Sequence, residues 1–180
     1  MSPVEILKFL YDLFVYIVLL RFLLQLVRAD FYNPFSQFVV TMTQWILSPL
    51  RRIIPGSRGI DWSSLLLFLA LVLLGQVLFG FGGSLIGMLI MLPFTATIML
   101  INLLLFLVFI KVILSWVDPY QQQPMQRPLS QLTNPILAPF RRLIPPIGMI
   151  DLSALFAILA LYLARWFVER LPFWMFGLFS

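Results

Sequence analysis

This chain has no cysteine and no histidine. Their absence excludes disulfides, thiolate chemistry and the usual ligand sets for zinc and haem. It also removes the side chain most used for proton transfer near neutral pH. Charge is scarce too: 11% of the residues are charged and 62% hydrophobic, with a mean hydropathy of +1.02. Soluble domains are about 25% charged, so this chain cannot cover a water-facing surface, and a bilayer is the solvent that suits it. The net charge of +5 comes without a long basic run or a basic stripe with aromatic platforms, so no nucleic acid is expected. Glu5 and Lys8 balance each other at the N-terminus, and no small-residue cleavage site follows the first apolar run. That run is therefore expected to stay as a spanning helix.

What is present is long hydrophobic stretches. A helix of about 20 apolar residues crosses a bilayer core, and residues 6–27, 62–79, 95–117 and 152–168 qualify. Strands are excluded there, because an open sheet edge would leave backbone groups unsatisfied in hydrocarbon. Between the first two stretches, Phe35, Phe38, Val39, Met42, Ile46, Leu50 and Ile53 recur at helical spacing, with Gln37, Thr41, Gln44, Ser48 and Arg51 between them. This predicts an amphipathic helix over 34–53, lying in the headgroup plane. Asn33 and Pro34 supply an N-cap and a first-turn proline, and Pro49 is expected to kink or end the helix.

Sliding the chain against itself by 90 residues aligns Arg21–Leu73 with Lys111–Leu163 without a gap. Ile-Leu-Ser-Pro-Leu-Arg-Arg-Ile-Ile-Pro (46–55) falls on Ile-Leu-Ala-Pro-Phe-Arg-Arg-Leu-Ile-Pro (136–145), identical at seven of ten positions. Ile60-Asp61-x-Ser63 falls on Ile150-Asp151-x-Ser153, and Pro34 on Pro124. Apolar helices match by composition alone, but arginines, prolines and an aspartate at one offset do not. The expected fold is an all-α membrane protein with four transmembrane helices in two parallel tandem repeats, each a helix, an amphipathic interfacial segment and a helix. The first repeat covers 1–80. The second covers 95–180, with its interfacial segment at 124–144, and an apolar connector spans 81–94.

Two crossings per repeat give both repeats one orientation, related by an axis near the membrane normal. Arg28, Arg51, Arg52, Arg58, Arg127, Arg141 and Arg142 place seven of the 12 basic residues in the two interfacial loops, and the connector has none. The positive-inside rule then puts the Arg-Arg segments in the cytoplasm and both termini outside. The connector reads two ways. A single helix over 84–117 would be about 51 Å long, too long for a simple span, so a short interfacial piece or a helix breaking at Pro93 is expected.

The candidate docking residues are Asn33, Pro34, Pro49, Arg51, Arg52 and Pro55 in the first repeat, with Pro139, Arg141, Arg142 and Pro145 in the second. Paired arginines suit phosphate and attract anionic lipid at a cytoplasmic surface; they also simply orient and anchor the segment. Asp61 and Asp151 each precede a span, where an aspartate caps the helix or pairs with a basic residue of its own repeat. Arg21 and Lys111 are intramembrane cations that either snorkel to the headgroups or turn into the bundle. Gln76 and Asn102 read as interhelical hydrogen-bonding amides. No nucleotide-binding loop, catalytic carboxylate pair or activated nucleophile is present, so neither enzyme activity nor a cofactor is expected.

The Arg-Arg-x-Ile-Pro and Ile-Asp-x-Ser elements, together with Asp30-Phe31-Tyr32-Asn33-Pro34-Phe35-Ser36-Gln37-Phe38-Val39-Val40, resemble the YggT (YlmG-type) family along essentially the whole chain. The second repeat departs from that signature with Pro119-Tyr120-Gln121-Gln122-Gln123-Pro124, so any docking by the first interfacial helix is not duplicated. The resemblance implies a bacterial inner-membrane protein, in which the termini placed outside by the charge rule are periplasmic, and relatives tied to cytochrome assembly, division, envelope organisation and osmotic or ionic tolerance. The function expected is a non-catalytic scaffold or assembly factor whose partners are anionic membrane lipids, membrane proteins or further copies of itself. The alternative is a small channel or transport accessory.

Overall fold

The structure, a computed structural model, describes residues 2–56, 59–80, 83–117, 123–143 and 152–177. These residues form six helices: α1 (Pro3–Leu26), α2 (Pro34–Ile53), α3 (Trp62–Phe79), α4 (Leu85–Val117), α5 (Gln126–Leu143) and α6 (Leu152–Phe176). Three of them, α3, α4 and α6, are long and apolar enough to cross a membrane.

Local chemistry sets the helix starts. Ser2 and Glu5 form a reciprocal capping box at α1. Asn33 accepts from the Phe35 amide at 2.9 Å, with Pro34 in the first turn of α2. Asp61 accepts from the Ser64 amide at 3.3 Å to start α3.

The start of α4 and the end of α6 differ from the sequence expectation. The stretch at 95–117 is the end of one helix that begins at Leu85, so most of the connector at 81–94 is helical and runs through Pro93. An internal proline removes one backbone hydrogen bond, a small loss in a 33-residue helix whose other residues are almost all apolar. Pro49 likewise sits inside α2, which continues to Ile53. The last helix runs on from 168 to Phe176, past Arg165, Glu169, Arg170 and Pro172. Arg165 and Glu169 pair at 2.8 Å one turn apart, and Arg170 lies 5.0 Å from the Trp166 ring, so these charges are partnered along the helix surface.

The helices pack as two similar triplets. In the first, α1 lies against α2 and α3, which touch each other; in the second, α4 lies against α5 and α6, which also touch. The main core joins the triplets: Val15, Val18, Leu19, Leu23 and Leu24 of α1 meet Phe68 and Val72 of α3, Ala96, Leu103 and Leu107 of α4, and Leu129 and Leu132 of α5. A second cluster gathers Val108, Leu137, Ala154 and Ala157. The outside is as apolar as the inside, with Leu66, Leu74, Phe106, Leu155, Leu159 and Leu163 all exposed. Patches of that extent are tolerated in lipid, not in water.

Candidate functional site

The amphipathic helix α2 is held in two places. At its middle, Arg21 of α1 is 3% exposed. Its Nη1 donates to the Val40 carbonyl at 2.9 Å and to Thr43 Oγ1 at 2.8 Å, and its Nη2 donates to Gln44 Oε1 at 2.9 Å. Of the two sequence alternatives, Arg21 turns inward. The residues around it, Val18–Leu26, are mostly apolar, and the partners lie about twenty positions away on another element, so periodicity could not reveal them.

At its end, Arg51 in the last turn of α2 pairs with the buried Asp61. Asp61 also accepts from the Ser64 hydroxyl at 2.6 Å, and the Ser63 hydroxyl donates to the Ile54 carbonyl at 2.6 Å. Asp61 is thus both helix cap and ion-pair partner. Burial alone would raise its carboxyl pKa, but hydrogen bonds from Arg51 and Ser64 outweigh burial and hold it below the usual carboxylate range. Its folded value therefore lies below its unfolded value of about 3.9. The resulting stability is complete above the unfolded value and is lost as pH falls through the depressed one. Unfolding in detergent, followed from pH 7 downward, should show a loss beginning below about pH 4. Asp61→Asn should be less stable at neutral pH and lose less on acidification; an unchanged acid response would remove Asp61 as its source.

The second triplet repeats part of this arrangement 90 residues on. Lys111 Nζ donates to Asn134 Oδ1 at 2.8 Å, where Arg21 meets Gln44, and Arg141 Nη1 reaches the same oxygen at 3.3 Å. Thr43 and Thr133 each bond back to a carbonyl of their own helix, Val39 and Leu129, at 2.7 Å. Arg52, Arg141 and Arg142 are exposed, as are Pro34, Pro49, Pro55 and Pro139. Basic residues in the last turns of α2 and α5 also complement the helix dipole. Pro145 and Asp151 lie outside the described residues.

Asn33 does more than cap α2: its Nδ2 donates to the Pro124 carbonyl, tying the start of α2 to the residues just before α5. Arg127 and Asp30 lie 3.7 Å apart at the same junction.

Several polar residues were not singled out by the sequence. Thr43 and Gln44 had a readable signal, since Thr43-Gln44 aligns with Thr133-Asn134. Asp12 and Tyr11 did not, because both fall within an apolar run. With Lys8, Tyr16, Gln76 and Thr95 they line a cavity of about 310 Å³ at the opposite end of α1. Gln76 Nε2 donates to Thr95 Oγ1 at 3.0 Å there, linking α3 to α4. From the edge of this cavity toward Arg21, the side chains of Val15, Val18, Leu19 and Leu20 are buried. Among the described residues no cluster of acidic side chains could hold a metal ion.

Long apolar helices with lipid-compatible exteriors, braced by a polar amphipathic segment, define a helical membrane protein. The chain belongs to the CCB3/YggT family, whose profile matches residues 2–82 and again 90–172. An uncharacterized Pseudomonas aeruginosa protein is 46% identical over 168 residues, covering 90% of this chain and 85% of its own length. The uncharacterized protein YggT of Escherichia coli K12 is 42% identical over 158 residues, covering 84% of this chain and 80% of itself. An uncharacterized Vibrio alginolyticus protein, from the proC 3' region, is 39% identical over 178 residues, or 92% of this chain and 93% of its own. No solved structure matches the chain significantly.

Proposed function

We propose that this protein is a non-catalytic scaffold of the bacterial inner membrane that presents two basic amphipathic helices, α2 and α5, to partner proteins or anionic lipid. The observation carrying this reading is the double bracing of α2, by Arg21 at its middle and by Asp61 at its end. A helix held so firmly is a pre-organised docking surface, which loses little entropy when a partner arrives. Its C-terminal turn offers the exposed Arg52, and α5 offers Arg142 at the matching position.

In this reading α1 is the fourth span. Its 24 residues extend about 36 Å, and the Nη atoms of its Arg21 donate hydrogen bonds to α2. The tandem repeat is supported by the self-alignment at 90 residues, the two family matches and the paired contacts of Arg21 and Lys111. The Arg-Arg segments face the cytoplasm and the termini the periplasm.

The test is co-purification from native membranes, comparing wild type with an Arg52→Ala, Arg142→Ala double variant. Arg51 is left in place because it also holds Asp61. Single cysteines at Ser57, Gly83 or Ile147 report sidedness in a chain with none of its own. Ser57 and Ile147 should be labelled from the cytoplasm and Gly83 from outside. A defined companion lost from a correctly oriented variant supports docking; identical companions in both preparations would sink it.

A transport accessory is the second reading, favoured by the interior position of Arg21. Its path would have to cross the block at Val15, Val18, Leu19 and Leu20, so it requires either rearrangement or a pore between copies.

A further inference from the structure

The groove between α1 and α2 holds more positive charge than its own residues neutralise. The Nη atoms of Arg21 meet only neutral oxygens, those of Val40, Thr43 and Gln44. Its buried Nε has no hydrogen-bond partner. Among the described residues no carboxylate lies within ion-pair distance of it; the acidic partners found are Asp61, Asp30 and Glu169, each taken by another arginine. Arg51 lines the same groove and is balanced by Asp61. Two guanidinium groups and one carboxylate leave one positive charge over. A cation buried without a counter-ion is costly, and near a membrane it marks a place where an anion belongs.

The groove has room and donors for that anion. It encloses about 420 Å³, and Gln25, Gln37, Thr41 and Gln44 line it beside the two arginines. A phosphodiester carries one negative charge and several acceptor oxygens, the complement of a guanidinium fork. The surface beside the groove indicates what the phosphate is attached to. Gln37, Thr41 and Gln44 follow one another at steps of four and three, a polar stripe along α2. Roughly 100° round the helix, Phe38, Met42 and Trp45 form a second stripe, 56%, 43% and 70% exposed. Headgroup contacts and acyl-chain contacts thus lie side by side on one helix.

We infer that the α1–α2 groove is a binding site for the phosphodiester headgroup of an anionic phospholipid, held by Arg21 and Arg51, with the acyl chains along Phe38, Met42 and Trp45. The site deepens the scaffold reading, since it rests on α2 lying in the headgroup layer. It makes one lipid part of the first repeat's docking surface.

The test uses the purified full-length protein, delipidated in detergent. Its melting temperature is followed on titration with phosphatidylglycerol, phosphatidylcholine or inorganic phosphate, and bound lipid is counted by native mass spectrometry. Two variants at an exposed groove position provide the control, Thr41→Glu and Thr41→Arg. For the wild type, phosphatidylglycerol should give a saturable upward shift with one lipid retained per chain, and the other two should give little. Thr41→Glu places a carboxylate against the arginines and should weaken phosphatidylglycerol at least about tenfold, whereas Thr41→Arg should keep it. Loss in both variants would mean shape rather than charge, and would overturn the site. So would equal shifts from phosphatidylglycerol and phosphatidylcholine. A full shift from inorganic phosphate alone would replace the lipid by a soluble ion and overturn the proposal as well. The two readings fail separately: a Thr41→Glu variant that still binds lipid removes the groove, whereas companions unaffected by Arg52→Ala, Arg142→Ala remove the scaffold.

Discussion

Arg21→Ala is expected to lower stability by about 3 kcal/mol, a figure reached by setting two opposed effects against each other. Hydrogen bonds to a charged group contribute about 1.5–3 kcal/mol each, and Arg21 makes three, to Val40, Thr43 and Gln44. Against this, the substitution relieves the cost of a buried guanidinium, which for well-packed replacements cancels much of the gain. Alanine does not pack there, and it leaves a space the size of the lost side chain between α1 and α2, so the loss wins. Arg21→Lys should cost about half as much, because one ammonium keeps some of the bonds but not the planar fork. The second triplet already uses a lysine at Lys111 with Asn134 as partner. Chemical unfolding in mixed micelles measures the difference, and trypsin cleavage after Arg51 and Arg52 should quicken as α2 comes loose. A stable Arg21→Ala variant with protected α2 would show that the Asp61 clamp alone holds the helix.

Gly75→Leu should be comparably severe, at about 2–3 kcal/mol of overpacking. A Cβ at Gly75 would lie 2.9 Å from Tyr11 Cε1. Tyr11 cannot simply swing aside. Its hydroxyl donates to the Leu71 carbonyl, and its ring sits 5.4 Å from that of Phe79. A branched side chain at 75 must therefore push α1 away from α3 along a seam that includes Val15, Phe68 and Val72. Gly75→Ala should cost less, about 1 kcal/mol, since alanine adds a single carbon against the Tyr11 ring. The combination of Tyr11→Ala with Gly75→Leu offers the check. If the two substitutions collide in space, the double variant is more stable than the sum of the single losses implies. Strict additivity would mean that the Tyr11–Gly75 contact is not what sets the spacing of the helices.

The parts of this fold legible in the sequence are those where side-chain chemistry marks an end. α2 and α3 begin where Asn33-Pro34 and Asp61 place them, because a capping oxygen and a first-turn proline act within a few residues of the boundary. The start of α4 was hidden for the opposite reason. Pro93 and the preceding glycines look like breaks, yet breaking a helix in hydrocarbon costs more than one missing hydrogen bond, and the helix runs on. The end of α6 was hidden because Arg165, Glu169 and Arg170 look like an exit into water; they instead pair with one another and with Trp166. As for the site, Asp61 was read as a cap or a partner of a basic residue in its own repeat, and Arg51 is that residue, but the partners of Arg21 could not be named. Thr43 and Gln44 are unremarkable in an amphipathic pattern. They gain meaning only when α2 is folded back against α1, and that is a long-range fact no local periodicity carries.

The packed block at Val15, Val18, Leu19 and Leu20 has an electrical consequence. It lies between two polar positions within α1, Asp12 and Arg21, about 13 Å apart along the helix. Were α1 to span as proposed, part of the membrane voltage would fall over this apolar stretch, each elementary charge facing about 2.3 kcal/mol per 100 mV. With α1 as a span, the reading proposed above, these buried side chains would hold its two polar levels apart by an apolar layer.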